Sequence, residues 1–279
     1  MTVIDTAAVG ALAQAAAAAS IDALTGAASS NDGTGWSASR TPPLGRELTN
    51  EQAHACAVRH LASTGFTDNI GGHVSWVDRA DGSMLVNPWG LWWEEVTASD
   101  IIRIDADGKV IEGQWDVTPA IHIHTELHRN RADARVVVHN HPYHATVLAA
   151  LGILPEILHQ TACMYDGDMV YVDEYDGEIS DPSKGSALAQ AIGDASIILL
   201  RNHGVIVTGE TLAQATYRAA SFDRQCRLMV DTLKIGRECK TVPAETRGAM
   251  KNTMIKRASE VYWAGAVRQL IAREPDVLH

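Results

Sequence analysis

The stretch Arg131-Ala132-Asp133-Ala134-Arg135-Val136-Val137-Val138-His139-Asn140-His141-Pro142 decides how this chain is read. Three consecutive valines between an arginine and a histidine have the look of a buried strand. Pro142 ends it and is expected to open a helix. Alternate residues of an extended chain point to the same side, so His139 and His141 present two imidazoles together where the strand runs out. That geometry suits a metal ion, although surface histidines also fall at this spacing by chance, and the pair alone decides nothing.

A second short apolar run, Ser196 to Leu200, ends in Leu200-Arg201-Asn202-His203-Gly204, where the glycine lets the backbone turn sharply. If the two strand ends converge, three neutral imidazoles meet on one ion. A divalent metal held by three nitrogens keeps a position open, which catalysis requires and a purely structural site does not. The plainer alternative for His203 is a histidine hydrogen-bonded within its turn. The chain holds 12 histidines, and half of them lie in two clusters: His122, His124 and His128, then His139, His141 and His144.

Working outward, Thr49-Asn50-Glu51-Gln52 offers an N-cap with Gln at the third helical position, ahead of a helical pattern through Leu61. His73 to Val77, Met84 to Val86, and the pair Ile101 to Ile104 with Val110-Ile111 about Asp107-Gly108 are expected to form an antiparallel meander. Thr118-Pro119 starts a helix running to about Asn130, Val205 to Val207 is a further strand, and helices are expected from Glu210 to Ile235 and from Arg247 to Ala272. Helices and strands alternate with no long linker, so residues 47–279 are expected to form one α/β domain. Residues 1–46, Ala-rich and then polar, are expected to be a loosely ordered tail.

Composition bounds the partners. The 279 residues are 46% hydrophobic and 20% charged, enough to bury a full core. A net charge of −11 argues against nucleic acid or anionic lipid, and no apolar run approaches the ~20 residues of a membrane span. Cys56, Cys163, Cys226 and Cys239 form no framework, and no Lys or Arg precedes Arg40, so a cytoplasmic protein acting on a small molecule is expected.

With these segments in view, the chain resembles the class II aldolase and adducin family from about Thr49 to Ala272. Gly71-Gly72-His73-Val74-Ser75 resembles the family's G-N-[VIL]-S loop, Val86-Asn87-Pro88-Trp89-Gly90 its T-P-[ST]-G turn, and Arg131 to Pro142 its R-P-D-V-x-A-V-V-H-x-H segment. Leu200 to Gly204 resembles L-x-N-H-G. The resemblance implies His139, His141 and His203 as ligands of one divalent ion (zinc, manganese or iron) in each subunit. It implies a three-layer fold with a central, mainly antiparallel sheet between helices, and a homotetramer with sites between subunits. It also puts Gly72, Trp89, Gly90 and Thr118 at the substrate, and His159 where some members place a tyrosine reaching a neighbouring site.

The departures from the family pattern bear on chemistry. The aldolases carry an acid/base glutamate nineteen residues before the first metal histidine; here that position is Ala120. The phosphate-holding loops are replaced by His73, Trp89 and Thr118-Pro119, and Trp89, Leu91, Trp92, Trp93 and Trp115 are expected to make the region apolar and flat-sided. Aldol chemistry needs a base, whereas loss of carbon dioxide generates a carbanion without one and needs only a proton donor afterwards. His73 or Glu126 is the candidate donor. The expectation is a lyase that decarboxylates, or cleaves in aldol fashion, a non-phosphorylated hydroxy-aromatic carboxylate. Two alternatives stand beside it: an iron oxygenase using the same three histidines, and a non-catalytic adducin-like module. His124 and His128 lie on one helical face and either border the pocket or form a hydrogen-bonded face. Tyr262 and Trp263 are read as packing residues, and Asp78, Arg79 and Asp81 as turn and surface charges.

Overall fold

The computed structural model describes residues 41–279, apart from 175, 176 and 178–180. Up to residue 40 the Ala-rich stretch lies outside the described residues. Just after it, the carbonyls of Pro42 and Pro43 accept hydrogen bonds from Arg268 Nη1 at 2.8 and 2.7 Å, and Leu44 and Leu48 rest on the core.

Helix α1 (Asn50–Ser63) starts at the expected capping box: Gln52 N donates to Thr49 Oγ1 at 3.2 Å, and Thr49 N donates to Gln52 Oε1 at 3.1 Å. Strands β1 (His73–Val77), β2 (Met84–Val86), β3 (Ile102–Ile104) and β4 (Val110–Glu112) form the meander. Helix α2 (His122–Asn130) follows a 3-10 turn at Pro119–Ile121, where Thr118 Oγ1 accepts from Ala120 N at 3.1 Å. Then come β5 (Val136–Asn140), α3 (Tyr143–Leu151), β6 (Met169–Val172), α4 (Pro182–Ala191), β7 (Ile197–Leu200), β8 (Val205–Gly209) and α5 (Leu212–Ile235).

The eight strands make one sheet in the order β4-β3-β2-β1-β5-β8-β7-β6, antiparallel throughout except between β6 and β7. This is an α/β fold with a mainly antiparallel sheet flanked by helices. Alternation along β5 divides the core. Val136 and Val138 face α1 and α5, whereas Val137 packs with Ile123 and Leu127 of α2 and Leu188 of α4. His139 follows Val137 onto the α2 side, and Asn140 points the other way.

Two elements differ from expectation. The last helix is not continuous: α6 (Ala244–Thr253) passes through a π-helical turn at Met254–Ala258 into α7 (Ser259–Arg273). Thr253 Oγ1 and Ser259 Oγ donate back to the carbonyls of Ala249 and Ile255, at 3.2 and 2.9 Å. Such back-bonding competes with the regular ladder. Asp78 is no surface charge either. Its carboxylate is buried against Arg103, with Nη1 to Oδ1 at 2.6 Å and Nη2 to Oδ2 at 3.0 Å, tying β3 to the end of β1. Burial, the largest single influence, would push this carboxyl up; the hydrogen bonds from Arg103 and Asn50 and the charge of Arg103 together outweigh it and hold the group below its ordinary range. Removing Asp78 leaves buried Arg103 with only the longer carboxylate contacts to Glu112 and Glu51, at 3.5 and 3.9 Å, so Asp78→Ala is expected to cost about 3 kcal/mol in urea unfolding.

Candidate metal centre

His139 is the penultimate residue of β5, His141 lies just beyond the strand, and His203 comes from the turn between β7 and β8. The β5–β8 register, Val138 opposite Val207 and Asn140 opposite Val205, brings the two chain segments together. Ring centroids are 5.0 Å apart for His139 and His141, 4.8 Å for His139 and His203, and 4.9 Å for His141 and His203. One ligand nitrogen from each lies within 4.8 Å of the others, so the three can share an ion.

The hydrogen bonds behind the rings favour that use. Carbonyl and carboxylate oxygens only accept, so His139 Nδ1–H donates to Val205 O at 3.0 Å and His141 Nδ1–H donates to Asp68 Oδ2 at 3.1 Å. With Nδ1 committed in each ring, Nε2 is the nitrogen left for an ion, and among the described residues Nε2 of His141 is buried with no partner. Supports of this kind orient metal-binding imidazoles and fix their tautomer. Burial lowers His139 well below its ordinary value and His203 to about 4, so both rings are neutral at pH 7.

Backbone close approach shapes the surroundings. A side chain at Gly204 would put Cβ 2.4 Å from Asn140 O, and one at Gly72, which has φ +83°, would put it 2.5 Å from His139 O. The Asn140 side chain ties the Gly71 loop to the strand end, donating to Gly71 O at 3.1 Å and accepting from His141 N at 2.6 Å. Gly71 N closes back on Asp68 O at 2.8 Å, which seats Asp68 beneath His141. Asn140 and Asp68 were not singled out in the sequence reading. The only available signal for Asn140 was its place between two histidines, on the opposite face of the strand.

The trio opens on a cavity of about 310 Å³, whose wall includes Gly72, His73, Trp89, Thr118 and Ala120. His73 pairs directly with His139 across β1 and β5 and is buried; burial, then its neighbour His141, lowers it to about 3. Ala120 brings no carboxylate to the wall, and among the described residues lining the cavity none is Asp or Glu. Trp89 is the tryptophan that reaches the cavity. Trp93 is in the core, donating Nε1–H to Gly72 O at 3.3 Å, while Trp92 and Trp115 are half-exposed away from the wall. Gly90 lies beyond the cavity lining with φ +95° and open space around it. Glu126 is buried on α2, paired with Arg129 and packed near Gly185 of α4, outside the lining. His159 opens a 3-10 turn, Gln160–Tyr165, and is also outside the lining. His124 and His128 lie behind His73, bridged by Ser75, and make a hydrogen-bonded face.

Comparison with known proteins identifies the family. The model of the class II aldolase and adducin N-terminal domain matches residues 52–230, and the chain belongs to that family. It is 31% identical to decarboxylase NovR of Streptomyces niveus over 216 residues, covering 74% of this chain and 79% of the relative. It is 32% identical to the 4-hydroxy-3-prenylphenylpyruvate oxygenase/4-hydroxy-3-prenylbenzoate synthase of Streptomyces roseochromogenus subsp. oscitans over 201 residues, covering 68% of this chain and 72% of the relative. The crystal structure of an aldolase II superfamily protein from Pseudomonas syringae superimposes with a TM-score of 0.72 at 26% identity, over 81% of this chain and 94% of that one.

His139→Ala is expected to abolish metal retention measured by elemental analysis, while Asp68→Asn weakens metal affinity by about 10–100-fold in chelator competition. Acid should destabilise the metal-free protein. With His73 at about 3 and His128 and His203 at about 4, the unfolded chain takes up protons below about pH 6.5 that the folded chain refuses. The stability these groups contribute is full above about pH 6.5 and falls towards pH 4. Melting temperatures of the metal-free protein at pH 7.5 and pH 5 check this.

Proposed function

We propose that this protein is a metal-dependent carbon–carbon lyase that decarboxylates a non-phosphorylated, hydroxy-aromatic carboxylate, using zinc, manganese or iron bound by His139, His141 and His203. The observation that carries the reading is the donor set: three histidines around a cavity in which Ala120 stands where an aldolase has its glutamate. Departing carbon dioxide leaves its electron pair on carbon, so no base has to remove a proton from carbon first. A divalent ion, when bound, supplies Lewis acidity to a substrate oxygen beside that carbon.

The protein's own groups do the rest. Trp89 offers a flat apolar wall to a ring, and the cavity is at the lower end of the ~300–1,000 Å³ usual for small-molecule sites. Among the described residues lining it none is Lys or Arg, which speaks against a phosphate ester. His73 is the group proposed to take the proton of a substrate hydroxyl and return it to the carbon that carbon dioxide leaves, since Glu126 is engaged by Arg129. Gly72, Gly90 and Thr118 are proposed to border the substrate. His159 is assigned to a site shared with a neighbouring subunit in the homotetramer that the family resemblance implies.

The relative named as a decarboxylase supports this reading, and the one named as an oxygenase supports a second, in which iron in the same site uses oxygen. Among the described residues no helix is long and apolar enough to cross a membrane, in keeping with a small-molecule substrate. The test is carbon dioxide release from ortho-hydroxylated aromatic carboxylates by protein whose metal has been identified, with and without oxygen. Anaerobic release supports the lyase. Release that requires both iron and oxygen replaces it with the oxygenase, and no release under either condition overturns both.

A further inference from the structure

Behind the cavity wall lies a row of buried polar groups that metal binding does not use. Ala134 O, His128, Ser75 and His124 are linked in sequence: His128 Nδ1 to Ala134 O at 2.6 Å, Ser75 Oγ to His128 Nε2 at 2.7 Å, and Ser75 Oγ to His124 Nδ1 at 2.7 Å. His73 stands edge-on to His124, with ring centroids 5.8 Å apart.

We infer that Ser75, His124 and His128 form a tautomer lock that makes His73 a hydrogen-bond acceptor towards the cavity, so that the site selects a substrate carrying a hydroxyl group at that wall. The direction of the row follows from its far end. A carbonyl can only accept, so His128 Nδ1 carries the proton. His128 is neutral, burial having lowered it to about 4, and its Nε2 is therefore bare. Ser75 must spend its one hydrogen on that nitrogen. Its oxygen then accepts from His124 Nδ1–H, which leaves His124 Nε2 as a lone pair.

Among the described residues that lone pair is buried with no partner, and both ring nitrogens of His73 are buried and unpartnered as well. An orphaned buried acceptor costs about 1–3 kcal/mol, which a donated hydrogen offsets. His73 can supply one, directly after a small rotation or through a buried water. With its one N–H turned back to His124, neutral His73 has only an acceptor left for the cavity that it lines. Ser75, His124 and His128 are positioning residues, because none of them lines that cavity. The hydroxyl in question is the one carried by the proposed hydroxy-aromatic acid, so the selection rests on that reading, whereas the lock itself does not.

The lock is read without any ligand by two-bond proton–nitrogen correlation spectra of nitrogen-15-histidine-labelled protein loaded with zinc. The expected result is neutral Nδ1–H rings for both His124 and His128, and a single His73 tautomer that becomes a mixture in Ser75→Ala. An Nε2–H ring at His124, or a His73 spectrum indifferent to Ser75→Ala, overturns the inference. Selection is read by binding of 2-hydroxybenzoate against benzoate. Any preference due to the metal itself is common to all variants, so only its change on substitution counts. Loss of about tenfold in that preference in Ser75→Ala, restored in Ser75→Thr, supports the inference; an unchanged preference overturns the selection. Should wild type bind neither acid, the proposed substrate class fails, and the ligand-free spectra still decide the lock. Those wild-type spectra also decide it if Ser75→Ala does not fold.

Discussion

The centre of this molecule depends on neutral imidazoles held in a place where water cannot solvate a charge. Burial keeps His73, His128, His139 and His203 unprotonated, and backbone or carboxylate acceptors at Val205, Asp68 and Ala134 determine which nitrogen of a ring stays bare. Both effects are needed. A neutral ring with the wrong nitrogen protonated would offer an ion nothing, and a correctly aimed ring at its ordinary pKa would be partly protonated at mildly acidic pH.

The fold meets this demand through sheet register. Strands β1, β5 and β8 are neighbours, so His73 and His139 sit opposite one another and the turn carrying His203 arrives beside them. The two glycines at 72 and 204 then allow the loops to close on the end of β5, where the Asn140 amide joins Gly71 to His141. Helix α2 covers the same face, and its histidines meet the sheet through Ser75. Ligands, supports and cavity wall are thus parts of one small region of sheet.

Much of this was legible in the chain. The valine run with its two histidines gave the central strand and its direction, and the Leu200 to Gly204 segment supplied the third ring. Thr49 and Thr118 marked real helix starts. What escaped was set by packing. Strand β6 is four half-buried residues on an edge, with no periodicity long enough to notice. Helix α4 did carry a signal, Asp181 capping with Pro182 at the first position, but its apolar face is weak. The burial of Asp78 depends on Arg103 arriving from another strand, and the partnership of Glu126 with Arg129 depends on which way α2 rolls. Composition suggested a wall of tryptophans, but the backbone between 88 and 93 turns only Trp89 to the cavity.

Ala120 has an electrostatic corollary. A donor set made solely of uncharged nitrogens does nothing to neutralise a cation, so a dipositive ion there would keep its whole charge within a shallow, low-dielectric recess. Such a recess attracts anions and holds most firmly those that can offer two oxygens at once. Dicarboxylate and hydroxy-acid buffers would then compete for the same coordination positions as the physiological ligand, and the choice of buffer becomes part of the biochemistry of this protein.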